Sequence, residues 1–185
     1  MTVGKTHSGK TTFGKKLAKK LKHFCLLDSD EIAIFLKHRY PNLYNGDFVG
    51  DSTKLSAGYY LKLSLVLEVY KTALKTDLPI ISTSANSKKG IRGRIIKMAE
   101  ESGRKVILVY FNLPDEVLLK RIEKGRESSR SLAPSKEFKD FLINKQSQQF
   151  EVPRKKEAGY YFEITDNASY KRVFEEVSRL FKNKK

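Results

Sequence analysis

Gly4-Lys5-Thr6-His7-Ser8-Gly9-Lys10-Thr11 is the stretch that decides the fold. It meets the pattern G-x-x-x-x-G-K-[ST] at every fixed position. Phe13, Leu17 and Leu21 then recur at helical spacing, so a helix starts where the loop stops. Glycines let such a backbone wrap tightly, its N–H groups converge, and the positive end of the following helix faces the same point. The result is a cradle for phosphates. In it the Lys10 amine reaches the β- and γ-phosphates of a nucleoside triphosphate, and Thr11 ligates magnesium. Gly4, Lys5, Thr6, His7, Ser8, Gly9, Lys10, Thr11 and Thr12 are thus the expected nucleotide-binding residues. A lysine-rich turn with two chance glycines is the competing reading, weakened by the helix that follows. His7 reads as a loop residue and not a metal ligand, because no second His or Cys sits nearby at ligand spacing.

Outward from the loop, apolar blocks alternate between strand and helix periods along all 185 residues, as in one α/β domain. Strands are expected at 24–27, 78–83, 106–111 and 160–164, with 106–111 the most apolar and therefore central. Asp30 is expected to cap a helix over 31–37. After a polar stretch at 40–53, a long amphipathic helix spans 55–75, and another ends near Gly103. Pro114, Asp115 and Glu116 open a helix that Gly125 closes. Ser135 opens the next, with Phe138, Phe141 and Leu142 on one face, and Ser169 caps a final helix carrying Val173, Val177 and Leu180. Repeated strand-then-helix units predict a mostly parallel sheet of about five strands sandwiched between helices, with a small lid at about 121–134. Only Met1, Thr2 and Val3 precede the loop, where a strand of about five residues is usual. Apolar codons are therefore expected upstream in frame, and a stop codon directly before Met1 would defeat that.

The net charge of +16, from 37 Lys plus Arg against 21 Asp plus Glu, attracts polyanions from a distance. The basic residues are spread along the chain and do not alternate with aromatics, so a solvated surface explains them better than a nucleic-acid groove. No apolar run approaches the roughly 20 residues of a membrane span. Cys25, alone in an apolar run, reads as a buried reduced thiol. A cytoplasmic protein is expected.

Further along, Leu27-Asp28-Ser29-Asp30-Glu31-Ile32 resembles the acidic segment of small P-loop kinases of the polynucleotide kinase, zeta-toxin and adenylylsulfate kinase type, within the AAA-like ATP-binding proteins. Residues 80–86, Leu113 to Arg121 and Phe150-Glu151-Val152-Pro153 are similar to later segments of the same kinases, so the likeness runs from about Gly4 to Thr165. The resemblance implies a P-loop fold that binds MgATP and transfers the γ-phosphoryl group to a hydroxyl on an unknown small-molecule or nucleic-acid acceptor. It implies Lys10 on the phosphates, Thr11 on the metal with Asp28 or Asp30 in support, and Asp30 as the base that takes the acceptor proton. Arg121, Arg126 and Arg130 are implied to clamp phosphates from the lid, with Arg126 and Arg130 stabilising the transition state. For Asp30 a plain helix cap competes with the catalytic role, and for Arg121 a solvated helix face. Tyr44, Phe48, Tyr59 and Tyr60 are candidates for an acceptor pocket, with core or rim packing competing at each. The sequence departs from the kinases twice: Thr83 stands where they carry a metal-supporting aspartate, and Ala33 where an arginine is common.

A GTPase reading rests on Asp47-Phe48-Val49-Gly50, but no apolar strand precedes it, and Asn144-Lys145-Gln146-Ser147 lacks the aspartate of a guanine-reading motif. The chain is short for a motor ATPase. A basic nucleic-acid-binding ATPase and a catalytically degenerate ATP-binding protein remain as alternatives.

Overall fold

Among the described residues five short strands, all parallel, form the layer on which the helices pack. The computed structural model describes residues 1–42, 57–125 and 135–182. β1 (Thr2–Gly4), β4 (Ile107–Phe111) and β5 (Tyr160–Ile164) make one ladder in the order β1-β4-β5. β2 (Cys25–Leu27) and β3 (Ile80–Ser82) make a second. The expected single sheet therefore has a seam between β1 and β3. It is bridged where Thr2 Oγ1 donates to the Ser82 carbonyl, Asn86 Nδ2 to the Thr2 carbonyl and Gly4 N to the Ala85 carbonyl. β4 is central to its ladder, as its apolar run suggests.

Eight helices among the described residues surround this layer: α1 (Lys10–Lys20), α2 (Ser29–Arg39), α3 (Ala57–Leu74), α4 (Lys89–Glu101), α5 (Asp115–Lys124), α6 (Ser135–Phe141), α7 (Ser147–Gln149) and α8 (Asn167–Lys182). A π-helical turn, Leu142–Gln146, joins α6 to α7. Alternation along β4 sorts the core onto two faces. Val109 and Phe111 pack with Phe13 and Leu17 of α1 and Val173 and Val177 of α8. Leu108 and Tyr110 pack with Val3 and with Ile96 of α4. Both faces are covered, as an all-parallel arrangement requires.

Several local expectations change. Asp28, not Asp30, caps α2: its Oδ1 accepts from Asp30 N at 3.0 Å, and the helix starts at Ser29. Asp166 caps α8, accepting from Ser169 N at 2.7 Å, while the Ser169 hydroxyl reciprocates to Asp166 N. Ser169 is thus the second half of a capping box. Cys25 is half-buried, because among the described residues β2 pairs with β3 alone and is an edge. The strand expected at 78–83 shortens to Ile80–Ser82. The start of the helix expected at 55 falls outside the described residues, as do residues 126–134 of the expected lid and Tyr44 and Phe48.

Close packing of α1 on β3 depends on Gly14. A Cβ there would lie 2.2 Å from Thr83 Cγ2 and 3.3 Å from Ile81 Cγ2. Gly14→Ala should therefore cost about 1–3 kcal/mol by overpacking, although alanine is the better helix former. Urea unfolding measures this; wild-type stability in the variant would mean that β3 yields freely.

Candidate active site

The loop after β1 is held in its curled form by contacts from several directions. Gly9 has φ +100°, a left-handed conformation that suits glycine, and α1 begins at the next residue. Behind the loop, Lys5 Nζ donates to Asp115 Oδ1 at 2.7 Å and to Ser147 Oγ at 3.1 Å, and Ser147 Oγ donates to Asp115 Oδ2 at 2.7 Å. Burial pushes the Asp115 carboxyl up, but the hydrogen bonds from Lys5 and Ser147 outweigh it and hold the group below its usual range. Thr6 N donates to Gln146 Oε1 at 2.7 Å. Gln146 is buried at the end of the π turn, a distortion often found beside functional sites. Nothing in the sequence flags Gln146 or Ser147, since the hydrophobic pattern there is that of an ordinary helix.

Lys10 is buried, and its Nζ donates to the Lys5 carbonyl at 2.6 Å and to Ser8 Oγ at 3.3 Å. Desolvation lowers its pKa to about 8, against the pull of Asp30 and Asp28 in the other direction. Thr11 Oγ1 donates to Asp28 Oδ2 at 3.1 Å, so the hydroxyl and the buried carboxylate named from the sequence do meet. Asp30, freed from capping, turns its carboxylate to the open cleft. Crowding by the cleft walls raises its pKa, Asp28 raises it further, and Lys10 and Lys62 oppose.

Lys10, Thr11 and Asp30 line one cleft of about 620 Å³, with Asp28 behind Thr11. On the loop side stand Thr6, His7, Gly9, Lys10, Thr11 and Thr12. Across from them lie Tyr59 and Lys62 of α3 and the Ser84–Ser87 loop after β3. A cavity of about 650 Å³ lies at the other end of the strands, lined by Met1, Ile80 and Ile107, without any phosphate loop. The loop's chemistry, and not volume, selects the first as the candidate site.

Other expected members stand apart from the cleft lining. Gly4, Lys5, Ser8 and Asp28 support it from behind. Arg121 Nη1 donates to the carbonyls of His7 and Ser8 at 3.2 and 3.1 Å, bracing the loop where a phosphate clamp was expected. Arg126 and Arg130 lie outside the described residues. Tyr60 is exposed, while Tyr59 reaches the cleft. His7 packs edge-on against Phe138 with centroids 5.0 Å apart, and its pKa is lowered by desolvation, then by Lys10 and Arg121. Among the described residues no group of three or more His, Cys, Asp or Glu could hold a metal. At Thr83 the hydroxyl donates to the Leu27 carbonyl, and Ala33 is fully buried on α2, packed near Leu61 and Leu65 of α3. Neither position brings charge to the cleft.

Arg92 was not foreseen. Fully buried, it pairs with Glu157 through Nε and Nη2 at 2.9 and 3.1 Å. Its Nη1 donates to the carbonyls of Asn86, Ser87 and Glu151. It thereby fixes the loop that forms one wall of the cleft.

A model of the AAA domain family matches residues 1–153. No curated protein sequence matches the chain. Similar solved structures include a sugar kinase from Janibacter sp. HTCC2649, with TM-score 0.64 and 18% identity over 98% of this chain and 92% of that one. Kti12 from Chaetomium thermophilum, in complex with ADP-AlF3, gives TM-score 0.61 at 15% identity over 95% of each chain. The Mycobacterium tuberculosis APS kinase CysC, in complex with AMPPNP and APS, gives 0.58 at 15% identity over 98% of this chain and 95% of that one. No transmembrane-length apolar helix occurs among the described residues. The chain belongs to the AAA domain family, and its fold is that of the P-loop kinases.

Proposed function

We propose that this protein binds MgATP and transfers its γ-phosphoryl group to a hydroxyl acceptor. The observation that carries the reading is the convergence on one cleft of a buried Lys10, the Thr11 hydroxyl and the Asp30 carboxylate. In the transfer, the acceptor oxygen attacks the γ-phosphorus, the bond to the β,γ-bridging oxygen breaks and ADP leaves. The acceptor proton passes to Asp30, whose raised pKa suits it to receive one. Lys10 and the loop N–H groups bind the triphosphate, and Gln146, Ser147 and Arg121 keep the loop in shape. Arg126 and Arg130 are proposed to meet the charge that develops on the transferring group. The hydroxyl of Thr11 and the carboxylate of Asp28 are hard oxygen donors that suit magnesium. Bound there with the phosphates, the ion would neutralise their charge. A cytoplasmic location goes with this reading.

Calorimetry of MgATP on wild type and Lys10→Ala tests the nucleotide site. The variant should bind about 10- to 100-fold more weakly, the loss of a charge-assisted contact. Wild-type affinity should also fall as pH rises above about 8, where Lys10 loses its proton, and Lys10→Ala should lack that limb. No binding by the folded wild type would sink the proposal. A degenerate ATP-binding protein is the second reading, favoured by the engaged hydroxyl of Thr83. Tight MgATP binding without γ-phosphoryl transfer to any of a broad panel of hydroxyl compounds would select it.

A further inference from the structure

The phosphate loop carries a ring that its backbone does not demand. His7 sits at φ +56°, in the left-handed region, where glycine or asparagine serves as well. Its carbonyl is taken by Arg121 Nη1 at 3.2 Å, and the residue lines the cleft with Thr6 and Lys10. Two contacts hold the imidazole there. Phe138 of α6 meets it edge to face, with centroids 5.0 Å apart and planes at 76°. Thr6 Oγ1 lies 3.0 Å from Nδ1. A hydroxyl both donates and accepts. Thr6 therefore serves the neutral ring by donating to Nδ1 and the charged ring by accepting from Nδ1–H, with no change of place. Nε2 has no protein partner among the described residues and is the nitrogen left for a ligand.

Resting on the nucleotide-binding half of the reading above, we propose that the His7 imidazole is a phosphate ligand. It takes up a proton from solvent as the triphosphate binds and donates a hydrogen bond from Nε2 to a phosphate oxygen. The charged groups that face the ring are Lys10 of α1 and Arg121 of α5, while α6 presents Phe138. Burial first, and then these two cations, hold the ring below its usual 6.5, so the free protein carries it neutral. A triphosphate brings several negative charges to the same loop and reverses that balance. A group that holds its proton more tightly in the complex than in the free protein makes affinity rise as pH falls through the window between the two values.

Calorimetry of MgATP on the full chain tests this, at pH about 7.5 and about 5.5, each in two buffers of different ionisation enthalpy. Wild type is compared with His7→Asn, which keeps a residue suited to the left-handed turn but cannot titrate. Asp30, whose pKa is raised, and the nucleotide's own phosphates titrate in both proteins and cancel. Relative to the variant, wild type should gain about 10-fold in affinity over that interval, the linkage expected of a tenfold change in proton affinity. Its binding heat should also report a proton uptake that the variant lacks. A second readout does not depend on that variant. The chain has three histidines, and His23 and His38 are exposed. Replacing those two by Gln leaves the His7 ring alone in the proton NMR spectrum, and its titration midpoint should move upward when AMPPNP and magnesium are added. An imidazole that only packs on Phe138 would leave both readouts flat. Equal pH dependence in wild type and a folded His7→Asn, or a midpoint that stays or falls, overturns the proposal. Tight MgATP binding without proton uptake defeats only this role of His7, whereas no binding by the folded wild type defeats the nucleotide reading as well.

Discussion

Asp30→Asn should lower phosphoryl transfer by about 10²- to 10⁴-fold, the usual worth of a positioned general base, while MgATP affinity changes only a few-fold. The substitution keeps the shape of the side chain and removes its capacity to take a proton. Helix stability does not confuse the result, because Asp28 and not Asp30 caps α2. The carboxyl titrates above its ordinary 3.8, raised by desolvation and by Asp28 against Lys10 and Lys62. Wild-type transfer should therefore fall as pH drops through that raised value, and the acid limb should vanish in the variant. A carboxyl whose folded pKa is raised binds more protons folded than unfolded, so its ionisation opposes folding as pH rises through that window. Asp30→Asn should consequently be no less stable than wild type at neutral pH. A fully active variant would remove Asp30 from the mechanism.

Arg92→Leu should cost about 3–5 kcal/mol of stability, the range seen when one member of a buried ion pair is removed. The loss strands the Glu157 carboxylate, whose side chain is 9% exposed, and three carbonyls that had shared Nη1. For a domain of this size the melting temperature should drop by roughly 6–20 °C. Burial pushes Glu157 up, but hydrogen bonds from Arg92 and the Arg154 backbone outweigh it and hold its pKa below 4.5. The contribution of the pair is thus present above that ordinary value and is lost as pH falls through the lowered one. Arg92→Leu combined with Glu157→Leu should recover part of the loss, since no orphaned charge remains. A drop below about 1 kcal/mol in the single variant would show the pair to be idle. The same bonds tie the Asn86 and Ser87 carbonyls in place, so loosening them should also weaken the cleft wall.

The sequence by itself determined what depends on local chemistry. The loop at Gly4–Thr11, the helix after it and the apolar run of β4 each follow from residue types at fixed spacing. So does the placing of the phosphate loop and the acidic segment at one edge, because in a parallel layer the segments that follow β1 and β2 both leave the C-terminal ends of their strands. Tertiary structure decided what depends on which groups meet across long separations. Asp28 and Asp30 lie two residues apart in similar settings, and only the geometry of the turn gave capping to one and the open cleft to the other. Arg92 reads as one more surface cation until α4 packs and buries it against Glu157. Arg121 braces the loop, and Lys62 faces Asp30 from a helix whose pattern shows only amphipathicity. Local preferences act within a few residues and are written in the order of the chain. Burial and charge act through space, and only the packed fold brings those partners together.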